Sequence, residues 1–357
     1  MLAFTALRSS EKIKGLADES PIRVAVVGVG SFGRNHARVY HELQKQGRGV
    51  ELVAVVDQNA AQAQAVAAQF GCQALTTVEE LFGRVEAASV AVPTVHHRAV
   101  AAALMAAGID VLIEKPLAST LDEADELISL ANANQRIVQV GHLERFNPAV
   151  RATLPLITKP MFFEVHRLSV FSPRSLDVDV VLDLMIHDID VLLSFVKSPL
   201  KDLRAVGLPV VSEKIDIANV RLEFESGCVA NLTASRISTE RVRKMRFFQP
   251  KEYVSIDYGR QDVFQIRVTQ EEKFSLSNLM AFAETPSTLP IPGVVLNKPK
   301  VEAEEPLRAE LKSFLNAVRH RTKPEITLED GRRALAAALS ILSAIDEHAR
   351  RAKLHSL

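Results

Sequence analysis

Cysteine is scarce. Of 357 residues only Cys72 and Cys228 carry a thiol, and they form no CxxC or metal-ligand spacing. A disulfide scaffold is excluded, and sparse thiols fit a reducing cytoplasm. Net charge is also missing: Lys plus Arg total 43 and Asp plus Glu total 43. No overall field therefore draws the chain toward nucleic acid or an anionic membrane. No uninterrupted apolar run reaches the roughly 18 residues that a membrane span needs. Internal repeats and low-complexity tracts are absent as well. The opening "MLAFTALRSSEKIKGLADES" has no basic segment before its short apolar start and no convincing cleavage site. Residues 1–20 are expected to be a flexible extension rather than a signal peptide.

What remains is an ordinary globular composition, 47% hydrophobic and 24% charged, long enough for two domains. From Arg23 to about Val140, short aliphatic runs alternate with helical stretches. "RVAVVGVG", "ELVAVVD", "ASVAVP", "DVLIEK" and "RIVQVG" read as strands. Their continuous β-branched character is that of strands covered on both faces. Strands alternating with helices imply right-handed βαβ units, so residues 21–145 are expected to form a doubly wound parallel sheet of Rossmann type.

After Gly141 the pattern changes to period two. In "NVRLEFESGCVANLTAS", Val220, Leu222 and Phe224 face one way and Arg221, Glu223 and Glu225 the other, with Ser226 and Gly227 making the turn. Residues 146–327 therefore read as an α+β domain on a mostly antiparallel sheet with one open polar face. Within it, residues 285–306 read as a long irregular connection. A closing helix occupies 328–357.

Gly28-x-Gly30-x-x-Gly33 lies between a strand and a helix, and a second strand ends in Asp57. Each glycine has a reason: Gly28 for a tight turn, Gly30 for close approach of a pyrophosphate, Gly33 for packing of helix on sheet. The helix N-terminus offers unpaired N–H groups. Asp57 can accept hydrogen bonds from both ribose hydroxyls and would repel a 2′-phosphate, which favours NAD over NADP.

Further candidates sit where strand ends line a ligand crevice. Lys115 follows the strand "VLIE" and precedes Pro116, which can fix the turn as a cis peptide. In "VAVPTVHHRAV", His96 points to solvent, while His97 either touches cofactor or substrate or caps the next helix. Asp183 and His187 are spaced i, i+4 on a helical pattern, which lets a carboxylate orient an imidazole. Asp188 and Asp190 read as surface or cap residues. No metal set is visible.

Together with "EKPLAST", "GHLERFNPAV", "DLMIHDID" and "EDGRRALAAALSI", these segments resemble the Gfo/Idh/MocA oxidoreductases over nearly the whole chain. The specific part is Glu-Lys-Pro followed at a distance by Asp-x-x-x-His. The resemblance implies an N-terminal Rossmann domain and a C-terminal sheet used for homo-oligomerisation as a dimer or tetramer. It implies cofactor contacts at Ser31, Phe32, Pro93, Thr94, His97 and Glu114 beside the glycines, Asp57 and Lys115. It also implies that Lys115 and His187, with Asp183, meet substrate over the nicotinamide. Where many members have glycines before the Asp-x-x-x-His segment, this chain has Val178, Asp179 and Val180. "GHLERFNPAVR" and "HRLSVFSPRS" resemble the branch that oxidises UDP-linked N-acetylhexosamines at C3, with Arg145, Arg167 and Arg174 as forked donors for a diphosphate. The alternatives are a dehydrogenase of a free cyclitol or aldose and a dinucleotide-binding regulator without turnover.

Overall fold

The computed structural model describes residues 20–171, 178–269 and 293–353. The expected extension over residues 1–20 lies almost entirely outside them. Two compact units are present. The first contains residues 20–146 and 305–336, the second 147–304 and 337–353, so far as these are described.

In the first unit the alternating pattern is realised as β1 (Ile22–Val27), α1 (Ser31–Lys45), β2 (Val50–Val56), α2 (Ala60–Phe70), β3 (Gln73–Leu75), β4 (Ala87–Val90), α3 (His97–Ala106), β5 (Asp110–Glu114), α4 (Leu121–Ala133) and β6 (Val138–Gly141). The strands form one sheet in the order β3-β2-β1-β4-β5-β6, and every pair is parallel. Val24, Val26, Ala87, Val90, Leu112 and Ile113 are inaccessible to solvent, as expected of strands covered on both faces. The short β3 has too little apolar sequence to have been foreseen.

The second unit begins with α5 (Pro148–Thr153) and β7 (Phe162–Val170). A π-helical turn over Val181–Met185 leads into α6 (Ile186–Phe195). Then follow β8 (Leu200–Leu208), β9 (Ile217–Phe224), β10 (Val229–Ser238), β11 (Val242–Gln249), β12 (Glu252–Asp257), β13 (Asp262–Val268) and β14 (Val294–Asn297). The sheet order is β14-β13-β12-β11-β7-β10-β9-β8, and β7 with β10 is its one parallel pair among the described residues. Val220, Leu222 and Phe224 lie on the covered face, as their alternation requires. On that face Phe195 of α6 packs against Phe163 and Phe247, with ring centroids 6.4 and 6.1 Å away.

Two boundaries differ from the sequence reading. The stretch expected to be irregular contains β14, an edge strand paired with β13 from Gln265↔Asn297 to Val268↔Val294. More consequentially, α7 (Pro306–His320) belongs to the first unit rather than to the expected 146–327 domain. Its Leu307, Leu311, Phe314, Leu315 and Val318 share one core with Tyr40, Leu43, Val50 and Leu52. That apolar stripe joins the core that α1 and α2 make with the first sheet, and periodicity alone does not say which sheet a helix will cover. The last helix, α8 (Leu328–Arg351), supplies residues to both units.

Candidate functional site

The glycine loop has the form its spacing predicts. Gly28 has φ +83°, and a side chain there would meet Ala91 and Val92 at 2.8 Å. A Cβ on Gly33 would sit 1.8 Å from the Gly28 carbonyl oxygen, so α1 approaches the turn only because residue 33 has none. Gly30 differs: apart from its own residue and its chain neighbours, nothing lies within 4 Å of where its Cβ would be. Its bareness serves the approach of something from outside, as a pyrophosphate requires. Gly30 also caps α1 without a side-chain hydrogen bond, and the first turn carries no acidic residue. The helix N-terminus thus keeps its positive end for an anion. Ser31 and Phe32, which follow, are exposed.

Asp57 ends β2 beside this loop. Its Oδ2 accepts from the Val29 N–H at 2.9 Å and from Gln62 Nε2 at 3.4 Å, and its Oδ1 accepts from the Asn59 N–H at 2.9 Å. The carboxylate is oriented yet only half-buried, which leaves lone pairs for ribose hydroxyls. Between α1 and α2 a cavity of about 390 Å³, bordered by Gly30, Arg34, Gln62 and Ala65, opens next to it. These residues fit a dinucleotide. Gln62 was not singled out from sequence; a polar residue one turn into the helix after Asp57 was the available signal.

At the tip of β5 the peptide between Lys115 and Pro116 is cis, and Lys115 is half-buried. Glu114 is not presented to solvent. It is 6% exposed, and its Oε1 lies 3.0 Å from Nε2 of His36, itself fully buried on α1. His36 was missed from the sequence because nothing local announces a partner 78 residues away.

Pro93 is exposed and Thr94 half-buried past β4. His96 is exposed, as expected. His97 neither caps α3 nor offers a ring nitrogen to a ligand: Nδ1 lies 2.9 Å from the Pro116 carbonyl oxygen and Nε2 2.9 Å from that of Val92. The ring sits between the tips of β4 and β5. Two carbonyls favour a doubly protonated ring, but burial weighs more and pushes its pKa down. The neutral ring then donates to one carbonyl only.

In the second unit Asp183 lies in the π-helical turn and His187 in the first turn of α6, both partly exposed. The expected helix is thus interrupted by a widened turn, a feature frequent at functional sites. The departure at Val178, Asp179 and Val180 has a structural counterpart. The Asp179 carboxylate accepts from the Ile215 N–H at 2.9 Å, the Val180 N–H donates to the Ile215 carbonyl at 2.9 Å, and Arg236 donates to the Val178 carbonyl. Glycine at 179 could not supply that carboxylate.

Asp188 and Asp190, expected at the surface, are both 2% exposed. Asp188 grips Arg167 with two hydrogen bonds, Nε to Oδ2 at 2.6 Å and Nη2 to Oδ1 at 2.9 Å, and the guanidinium lies 5.2 Å above the Tyr258 ring. Arg167 is therefore a buried structural cation, not a forked donor held out for a diphosphate. Alternation along β7 puts it on the covered face, where an arginine needs such a partner. Arg145 is half-buried, 3.4 Å from Asp330. Arg174 lies outside the described residues. Among the described residues no group of three His, Cys, Asp or Glu could hold a metal, and no helix is long and apolar enough to cross a membrane.

A parallel sheet with this glycine loop, and an acidic residue ending its second strand, define a dinucleotide-binding α/β protein. Residues 22–142 match the Gfo/Idh/MocA oxidoreductase family with its NAD-binding Rossmann fold, and residues 164–251 match a Gfo/Idh/MocA C-terminal domain. The chain is 37% identical over 327 residues to UDP-N-acetylglucosamine 3-dehydrogenase of Acidithiobacillus ferrooxidans, covering 91% of this chain and 97% of the relative. A solved structure of that enzyme superposes with a TM-score of 0.81 at 34% identity, over 92% of this chain and 99% of the other. An inositol 2-dehydrogenase of Acidothermus cellulolyticus is 29% identical over 201 residues, 54% of this chain and 58% of the relative. The chain belongs to the Gfo/Idh/MocA family and is an NAD-binding oxidoreductase.

Proposed function

We propose that the protein is an NAD-dependent dehydrogenase that oxidises the C3 hydroxyl of a UDP-linked N-acetylhexosamine to a ketone. The observation that carries this reading is the near full-length likeness to the Acidithiobacillus ferrooxidans enzyme. Gly28, Gly30, Ser31, Phe32, Gly33, Asp57, Pro93, Thr94 and Lys115 would hold the cofactor. Bound NAD supplies the hydride acceptor. The chain's own residues supply the rest: Lys115 donates a hydrogen bond to the carbinol oxygen and stabilises developing charge, and His187, oriented by Asp183, accepts the hydroxyl proton. Asp57 selects NAD over NADP. Arg145 and Arg174 remain candidates for the diphosphate. The two thiols support a cytoplasmic setting. Burial pushes both Cys72 and Cys228 up to about 11, which keeps them protonated and unreactive.

We further propose a homo-oligomer that uses the open face of the second sheet. Cross-strand register aligns Leu296, Ile266, Tyr253, Phe248 and Phe162 in one row over five strands. Phe248 lies 5.7 Å from Phe162 and 5.0 Å from Tyr253 between ring centroids. Leu296 is 64% exposed and Phe248 38%, so a second copy would gain by covering them.

The substrate is tested by following NAD reduction with UDP-N-acetylglucosamine, free N-acetylglucosamine and myo-inositol under identical conditions. Loss of the UDP handle should lower kcat/KM by about a hundredfold or more, because remote binding energy orients the reacting carbon. Equal or faster turnover of a free sugar or of myo-inositol would replace the nucleotide-sugar reading with the cyclitol one. Tight NAD binding without turnover of any of these compounds would favour a regulator.

A further inference from the structure

Glu114 is an acidic residue at the inner end of a fully covered strand, where a lone carboxylate costs several kcal/mol unless it is paired. Its surroundings are built for it. Oε1 lies 3.0 Å from His36 Nε2, and Oε2 accepts from the backbone N–H of Lys115 at 3.3 Å. On β6, Gly141 stands directly beside Glu114 in register. A Cβ on Gly141 would lie 2.7 Å from Glu114 Oε1, so the neighbouring strand is bare where the carboxylate sits. On the other side His36 is held by α1, the helix that starts at the glycine loop, and Phe32 in the first turn of the same helix packs its ring edgewise on the imidazole with centroids 5.4 Å apart.

We propose that His36 is a positioning residue for Lys115, acting through Glu114. The imidazole pins the carboxylate, and the carboxylate receives the N–H of the peptide that carries the lysine. The same histidine contacts Phe32, in the helical turn that follows Gly30. One buried dyad thereby joins the first helix to the strand tip and fixes where the lysine side chain starts. The inference rests on the dehydrogenase reading in which Lys115 contacts the carbinol oxygen.

The test compares His36→Leu, His36→Gln and Gly141→Ala with the unmodified protein, measuring kcat and KM for UDP-N-acetylglucosamine and the Kd of NAD. His36→Leu removes the donor. Gln can replace it through its amide nitrogen. Gly141→Ala leaves His36 in place but pushes the carboxylate away from it. Misplacement of a catalytic group by ~1 Å costs about a hundredfold. His36→Leu and Gly141→Ala should therefore lose kcat by about ten- to a hundredfold with NAD affinity within about threefold, and His36→Gln should recover most of the loss. Folded His36→Leu with unchanged kcat overturns the proposal, as does a loss confined to NAD affinity. Should His36→Leu fail to fold, Gly141→Ala and His36→Gln decide by the same split. Near-normal turnover by Lys115→Met would instead overturn the underlying reading, whatever the His36 variants do.

Discussion

Asp57 accepts three hydrogen bonds from its own protein, so its carboxylate is aimed before any ligand arrives. A hydrogen bond to a charged acceptor contributes roughly 1.5–3 kcal/mol. Asp57→Ala should therefore weaken NAD binding about tenfold or more and narrow the gap to NADP, as titration of both cofactors would measure. Equal affinity of the unmodified protein for NAD and NADP would contradict this role. For the proposed catalytic pair, Lys115→Met and His187→Ala should each lower kcat by about 10²–10⁴-fold while leaving NAD affinity nearly intact. If His187→Ala kept its turnover, the Asp183–His187 pair would be structural. The residues that announced themselves in the sequence did so through local spacing: three glycines, Asp57 at a strand end, a lysine before proline. Those that did not, His36 and Gln62, meet their partners Glu114 and Asp57 only through the fold. Arg167 misled for the same reason. Its fork was legible, but the aspartate that fills it was not.

Among the elements, the stretch from β8 to β9 shows how one carboxylate can organise a turn. Oδ2 of Asp216 accepts from the N–H groups of Val210, Val211 and Ser212 at 2.8, 2.7 and 3.0 Å, and Oδ1 accepts from the Ser212 hydroxyl at 2.8 Å. Burial works against the charged form, yet these bonds outweigh it and hold the pKa at about 2. The unfolded value is near 4, so the stabilisation is complete above about pH 4 and is lost as pH falls through 2. Urea unfolding across that window should therefore weaken with acid, and Asp216→Asn should flatten part of the slope; an unchanged slope would assign it to other groups. On α6, Asp188→Ala would leave the Arg167 charge buried without its carboxylate and should cost about 3–5 kcal/mol in chemical denaturation. A cost below ~1 kcal/mol would mean that solvent reaches Arg167. Periodicity placed the helix that carries Asp188. It did not reveal the π-helical turn, which follows a segment, residues 178–180, that is hydrogen-bonded to Ile215 and Arg236.

For the whole molecule, the open row from Phe162 to Leu296 is where the proposed assembly is tested. Phe248→Glu combined with Leu296→Glu should shift sedimentation toward the monomer, with kcat per chain left to show whether assembly matters for turnover. An unchanged sedimentation coefficient would count against an interface on this face. The two-domain layout was legible because the hydrophobic period switches near residue 146. The return of the chain to the first unit was not, since a 3.6-residue stripe fits any apolar face. It follows that a fragment ending at residue 146 lacks Leu311 and Phe314 from the core around Tyr40 and Leu43. Such a fragment should show no cooperative thermal transition. The same interruption has a consequence during synthesis. A ribosome adding roughly 5–20 residues per second needs about ten to thirty seconds to pass from the end of β6 to the middle of α7. Throughout that interval the nascent first unit lacks the α7 share of its core, so apolar surface around Tyr40 and Leu43 is expected to wait for cover until translation is nearly finished.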